Sequence, residues 1–466
     1  MVSPTPTRCD IAIIGAGMSG LAAGIRLAHF GRKVCIFERH DRVGGLNSYY
    51  TRNGRAYDVG LHAVTNMAAP DQRRAPLNKL LRQLRIDRSS LDFRPQKGSA
   101  IEFPGTHLDF NNDPKTMREG IGDIFPSQAD GFDNLVRAIY DADAYALTED
   151  STSARSVLNK YLSDPQLADM LMCPVLYYGG AAEHDMPFQQ FSVLFRSIFL
   201  EGLGRPSGGI RPLLDALQGR YEETGGELRL NAGVEKIICL DGGARALRLD
   251  DGSRVEVGSV LSSAGYIETL KICDPAPAQA RSAAPGRISL VETIVALDRP
   301  ACHFGLTHTT EFVSQTIPFR YESPSGLVDT DSAVICMPGN FSGCENTEEA
   351  CQVRVTRLAN AAQWLRLGDD EYRRAKMQVL QHQIEFLDAR APVVRGHVVD
   401  YDLFTPRTIY RFTGHLNGAV YGSPEKHRDG TTPIPNLFVS GTDQGFLGIV
   451  GAMMSGVSMA NVHWLH

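Results

Sequence analysis

The sequence predicts an α/β protein: a Rossmann-like dinucleotide-binding domain, discontinuous in the chain, with an α+β substrate domain inserted into it. Three observations carry that expectation. Asp10 to Glu38 reads as strand, glycine-rich turn, helix and second strand ending on an acid. Pro435 to Ala452 reads as another strand running through a glycine-rich turn into a last helix. Between them lie two excursions, residues 67–204 and 288–394, that break the alternation of strand and helix. The expected division is therefore 1–66, 205–287 and 395–466 for the dinucleotide domain, with the two excursions forming the substrate domain. A chain of 466 residues is long enough for two cores.

Asp10-Ile11-Ala12-Ile13-Ile14 is a short apolar run of the kind buried in parallel sheets. Gly15 then allows the tight turn, Gly17 lets backbone approach a pyrophosphate, and Gly20 lets helix and strand pack closely. Met18 and Ser19 fall in the first helical turn, whose unpaired N–H groups and dipole favour an anion. Lys33 to Phe37 is the second strand. Glu38 follows, placed to accept hydrogen bonds from ribose hydroxyls and to repel a 2′-phosphate.

The chain runs straight on through Arg39-His40-Asp41-Arg42-Val43-Gly44-Gly45-Leu46. Taken together, Gly15 to Gly45 resembles the two-dinucleotide-binding motif of FAD proteins in the amine oxidase and phytoene desaturase superfamily. The resemblance implies FAD, with Arg39, Arg42, Gly44, Gly45 and Leu46 passing near its diphosphate and flavin. The full fold expectation is thus a Rossmann-like, discontinuous FAD-binding domain with an inserted α+β substrate domain.

Asn53-Gly54 between two β-prone runs signals a hairpin. Asp58-Val59-Gly60-Leu61-His62 after it resembles a segment that passes the isoalloxazine ring, most closely in the retinol saturases. By that resemblance Gly60, Leu61 and His62 border the flavin, and His62 is the candidate catalytic side chain. A histidine that merely orders the loop is the plainer alternative.

In the first excursion, helical spacing marks Leu77–Leu84, Asp130–Leu147 and Ser153–Met172, with Asp130 and Ser153 as caps. Pro187 to Leu200 is its most apolar piece, framed by proline and Gly202. Phe191, Leu194, Phe195 and Ile198 share one face there, which core packing, an apolar substrate tunnel or a membrane-dipping surface would each explain. Tyr177-Tyr178-Gly179-Gly180 would line the same cavity or form a turn.

The dinucleotide fold resumes with a helix from Arg205-Pro206 to Thr224, a strand at Glu227–Leu230 and a hairpin around Asp250-Asp251-Gly252. By resemblance Val234 contacts adenine through its backbone. Val260 to Gly265 is a buried strand ending in small residues, where Ala264 and Gly265 admit a cofactor. The second excursion carries a strand at Ile288–Leu297 and helices at Glu348–Leu367 and Asp370–Leu387.

At the C-terminus Gly441, Thr442 and Asp443 open a glycine-rich turn, and Gly448, Ile449 and Val450 begin the last helix. Its positive end would face the flavin's pyrimidine edge, with Asp443 on the ribityl chain. The segment resembles the C-terminal motif of phytoene desaturases, carotenoid isomerases and retinol saturases. Those families imply an FAD-dependent oxidoreductase acting on carbon–carbon bonds of an apolar polyene or isoprenoid by desaturation, saturation or isomerisation.

Two alternatives stand beside it. A flavin amine oxidase commonly has a lysine near the flavin from its substrate domain, and no lysine lies between Lys271 and Lys376. A prenyl-binding protein of the GDP dissociation inhibitor type would have lost FAD, against which the intact glycine and acid set counts. A net charge of −6 gives no reason to expect nucleic acid. Nine scattered cysteines without a C-x-x-C pair argue for a reducing cytoplasm and against a structural zinc site or disulfide framework. Met1 to Arg8 lacks the apolar stretch of a secretory signal. The expected location is cytoplasmic, with peripheral membrane contact through the Phe191–Leu200 stripe; the electron partner stays open.

Overall fold

The computed structural model describes residues 8–143, 146–147 and 152–465. All but the last residue of Met1 to Arg8 and part of Asp130–Leu147 lie outside the described residues.

Two sheets organise the chain. The first has eight strands. Arg8–Ile14 lies at its centre, parallel to both Val34–Phe37 and Arg254–Ser262. Glu227–Arg229 extends one side and the hairpin strands Val234–Leu240 and Gly243–Leu249 the other. Leu437–Val439 pairs in parallel with the end of Arg254–Ser262, which is one continuous strand where two were expected. Ile11 to Ile14 are all buried, as a strand covered on both faces requires. The helices Met18–His29 and Gly448–Trp464 pack closely at Gly456, and the first of them packs closely on its own glycine turn at Gly20. A Cβ on Gly456 would lie 2.0 Å from the Ser19 carbonyl oxygen, and one on Gly20 would lie 2.1 Å from that of Gly15.

The second sheet has seven strands, in the order Val398–Phe404, Ser289–Leu297, Gln352–Ala359, Ser332–Cys336, Thr310–Ser314, Ser99–Phe103 and Thr106–Phe110. Both excursions contribute to it. Val398–Phe404 pairs antiparallel with Ser289–Leu297, so the boundary expected at residue 395 moves beyond Phe404.

Other corrections concern single elements. The helix expected over Glu348–Leu367 is a short 3₁₀ turn, the strand Gln352–Ala359 and a six-residue helix, Ala361–Arg366. That strand is flanked on both sides and buried at every position, so it shows no alternation, and Arg354 and Arg357 imitate a polar helical face. The helix expected to begin at Ser153 breaks at Leu162 to Asp164 and restarts as Pro165–Gly179, capped by Asp164, which carries Tyr177 and Tyr178 on its last turn. Asp130 lies in the first turn of Ala129–Asp141 and does not cap it.

Pro187 does lead into a helix, Phe188–Phe195, continued by a π-turn to Leu200. Phe191, Phe195 and Ile198 are 0% exposed and join the largest apolar cluster. The stripe is therefore core, not a membrane-dipping surface. Among the described residues no helix is long and apolar enough to cross a membrane.

Candidate cofactor and substrate site

The glycine turn after Arg8–Ile14 forms an open cradle. Gly15 has φ +95°, a conformation that side chains strain against. A Cβ on Gly17 would meet nothing within 4 Å, so backbone there is open to a ligand. Gly17 also begins the helix Met18–His29 without a side-chain cap, leaving first-turn N–H groups for an anion. Gly44 donates to the Ala16 carbonyl at 2.9 Å, which brings Gly44, Gly45 and Leu46 over the same turn. Glu38 is buried, accepting from the Ala16 N–H at 2.8 Å and the His40 N–H at 3.0 Å. Each carboxylate oxygen keeps a lone pair, so the acid can brace the loop and still receive ribose hydroxyls. These residues fit an adenine dinucleotide.

At several expected positions only backbone is left to meet a ligand. The side chains of Met18, Ile449 and Val450 are in the apolar core. Ser19 lies against Gly441, whose Cβ would be 3.2 Å from its Oγ, and this joins the N- and C-terminal halves of the cradle. Arg42 turns to Asp41 and the Tyr49 carbonyl, and Arg39 reaches the Arg411 carbonyl at 2.8 Å. Val234 is half-buried at the start of its strand, opposite Leu249. Ala264 and Gly265, the latter at φ +98°, follow the strand that ends at Ser262. Thr442 begins a single 3₁₀ turn, and Gly448, at φ +73° with open space about it, starts the uncapped last helix. The Asp443 carboxylate, expected on the ribityl chain, is engaged by the protein itself. It is buried, accepting from the Tyr266 N–H at 2.6 Å and the Ser423 N–H at 2.8 Å, and ties three segments together.

The Gly60 segment rests directly on the Leu46 turn, because a Cβ on Gly60 would lie 2.5 Å from the Leu46 carbonyl oxygen. The Leu61 side chain, expected to border the flavin, is fully buried in the core with Val64, and its carbonyl accepts from Arg205. His62 instead points across to the second sheet. Its Nε2 is 3.2 Å from Glu292 Oε2 and 3.1 Å from Thr356 Oγ1. The side chains of His62 and Glu292 remain 11% and 12% exposed, so the pair is reachable. Glu292 also pairs with Arg354. Burial pushes the Glu292 carboxyl up, but Arg354 and His62 outweigh it and hold it below the usual range. The Tyr178 ring is 6.3 Å from His62, and Leu447 reaches the same helix end at Gly179. Tyr421 closes the group by donating to the Tyr177 carbonyl.

Behind this group of side chains is a buried charge network that motif reading missed. Arg205 donates to Glu349 at 2.9 and 3.1 Å, to Asp58 at 2.5 Å and to the Leu61 carbonyl at 2.9 Å. Arg354 donates to the carbonyls of Asp58 at 2.9 Å and Val59 at 2.6 Å. Two arginines thus hold the backbone that presents His62. Lys426 is likewise buried, its Nζ donating to the Tyr421 carbonyl at 2.6 Å. Burial, with Arg428 adding to it, lowers the ammonium to about 8 against the opposing pull of Asp443. The signal for these residues was thin: Asp58 and Arg205 stand in quoted motifs, but their pairing is far apart in sequence.

Comparison with known proteins follows the same lines. Residues 18–462 match the family of flavin containing amine oxidoreductases. The chain is 22% identical to zebrafish (Danio rerio) all-trans-retinol 13,14-reductase over 99% of its length and 87% of the relative's. It is 30% identical to the neurosporene-forming phytoene desaturase of Rhodobacter capsulatus over 56% of its length and 53% of the relative's. An oxidoreductase structure from Methanosarcina mazei superimposes with a TM-score of 0.64 over 96% of this chain and 99% of that one, at 16% identity, which is a likeness of fold. The cradle, the uncapped helix ends and the family match agree: the chain belongs to the flavin containing amine oxidoreductase family and is an FAD-dependent oxidoreductase.

Proposed function

We propose that the substrate is an apolar polyene or isoprenoid and that the reaction is a redox change or isomerisation at its carbon–carbon bonds. The observation that carries this reading is the state of Glu292. It is the carboxylate beside His62, and Arg354, His62 and Thr356 already occupy it. A cationic amine would need an uncompensated carboxylate, whereas a neutral hydrocarbon needs a chamber with no net charge. Tyr178, Tyr421 and Leu447 supply aromatic and aliphatic walls. The relatives named for retinol reduction and phytoene desaturation support the same substrate class.

FAD, when bound, supplies hydride or electron transfer to or from a substrate carbon. The chain's residues do the rest. The turns at Gly15, Gly44 and Gly441 hold the dinucleotide, and the chamber walls orient the polyene and exclude water. With its Nε2 hydrogen directed at Glu292, His62 keeps Nδ1 to give or take a proton beside the reacting bond.

Product analysis with a panel of polyenes, under oxidised and reduced flavin, tests the reading. Polyenes should turn over while simple amines stay inert. His62→Ala should retain FAD and lower polyene turnover by at least about tenfold. Rapid amine oxidation with inert polyenes would overturn the substrate class, and full turnover by His62→Ala would leave His62 a loop-ordering residue.

A further inference from the structure

We propose that His107, Asp109 and His308 form a binding site for one borderline divalent cation, Zn²⁺ by preference, on the outer face of the second sheet. The site is separate from the flavin chamber and independent of the reading given above. It arises from strand alternation. Ser99–Phe103, Thr106–Phe110 and Thr310–Ser314 are neighbours, and Ile101, Leu108, Phe110 and Phe312 from them enter the core. The alternate positions, Glu102, His107, Asp109 and Glu311, must then face the other way. His308, just ahead of the third strand, joins them.

The atoms are close enough for one ion. Asp109 Oδ1 is 2.9 Å from His107 Nε2 and 3.3 Å from His308 Nε2, and the three ligand atoms all lie within 4.8 Å of one another. Metal–ligand distances of about 2.0–2.1 Å in a tetrahedron place ligand atoms roughly 3.3 Å apart. Two imidazoles and one carboxylate, with a fourth position open to water, are the donor set of zinc sites and ill-suited to the hard, all-oxygen preference of Ca²⁺ or Mg²⁺.

The surroundings match as well. His308 Nδ1 is 3.0 Å from Glu311 Oε1, and His107 Nδ1 is 3.7 Å from Glu102 Oε1. The Glu311 carboxylate hydrogen-bonds His308 Nδ1 and fixes that ring so that Nε2 faces the ion, while Glu102 adds negative charge behind His107. Arg390 pairs with both Glu102 and Glu311. Three carboxylates against one guanidinium leave an excess of two negative charges when the imidazoles are neutral, and a divalent cation closes that difference.

The test uses the flavin-loaded protein, stripped with chelator and titrated with ZnCl₂ by calorimetry, with metal content measured after dialysis. Wild type should take up one zinc per chain in a saturable step and gain thermal stability from it. His308→Ala, His107→Ala and Asp109→Asn should each abolish that step, and Glu311→Gln should weaken it about tenfold. Flavin content and turnover in all four variants serve as the folding control. Absence of saturable uptake by wild type, or uptake that survives the double substitution of both histidines, would overturn the site. So would imidazole resonances that report both rings cationic at neutral pH and unmoved by Zn²⁺, since two protonated histidines would then supply the missing charge.

Discussion

Replacing Arg205 by methionine should destabilise the fold by about 3–5 kcal/mol at pH 7, the cost of removing one member of a buried ion pair. The side chains of Arg205, Asp58 and Glu349 are 1%, 2% and 10% exposed, so water cannot replace the guanidinium. Arg354 is near but committed to Glu292 and to the carbonyls of Asp58 and Val59. The loss is a large share of the roughly 5–15 kcal/mol that holds a typical domain together. Its pH dependence gives it a signature. Burial alone would raise Glu349, but Arg205 outweighs burial and holds it below the usual carboxylate range. In wild type its contribution is therefore present at neutral pH and lost as pH falls through the lowered value. Asp58 is raised by burial even with Arg205 in place. Without Arg205 the main opposition to burial is gone and the weaker pull of Arg354 is left on both acids, so each ionised form destabilises the fold above its raised value. The difference between wild type and variant should shrink as pH falls from about 7 to about 5. Urea midpoints at both pH values measure it, and adding Asp58→Asn with Glu349→Gln should recover part of the loss. A loss under about 1 kcal/mol at pH 7, or one that does not change with pH, would refute the argument.

Three other outcomes follow from single residues. Glu38→Ala should weaken FAD binding by about 1.5–3 kcal/mol, read from flavin release on dilution; unchanged affinity would remove Glu38 from the ribose site. Phe195→Ala should cost about 3–5 kcal/mol in urea denaturation and leave partition onto liposomes unaltered, because the ring is core. Lys426, lowered from 10.5 to about 8, sheds its proton in the folded chain while the unfolded chain still holds it. Wild-type stability should thus rise relative to Lys426→Met between pH 8 and about 10, and a falling difference in urea midpoint across that window would contradict the burial of this ammonium.

What the sequence revealed was what short-range backbone geometry demands. Gly20 must be glycine because Gly15, five residues earlier, leaves no room for a Cβ, and Asn53-Gly54 turns its hairpin with positive φ at both positions. Such constraints are written in neighbouring letters, so the cradle, its acid and the last helix were legible. Periodicity was legible too, but not the surface it meets. The Phe191–Ile198 face was read as helical, yet only the packed molecule shows it closed over by core. Gln352–Ala359 misled because complete burial erases alternation, and its arginines are there to pair with partners brought from elsewhere.

Those partners explain why the chemical half of the site was the harder half to read. The cofactor cradle is built by segments that each carry their own glycine signature. The wall facing it is built by pairs such as Arg205 with Asp58, 147 residues apart, and His62 with Glu292, 230 apart. Arg205 and Arg354 grip the carbonyls of Asp58, Val59 and Leu61 with geometry a lysine cannot reproduce, since one planar guanidinium serves several acceptors at once. The position of His62, two residues after the glycine that rests on the Leu46 turn, is therefore set in part by Glu292, Thr356 and Arg354 of the second sheet, although His62 belongs to a loop of the first domain. A glycine motif can be kept while such pairs change, and the same cradle can then serve different substrates. The cofactor is legible in the ends of this chain, and the substrate is decided by contacts that no single stretch of it contains.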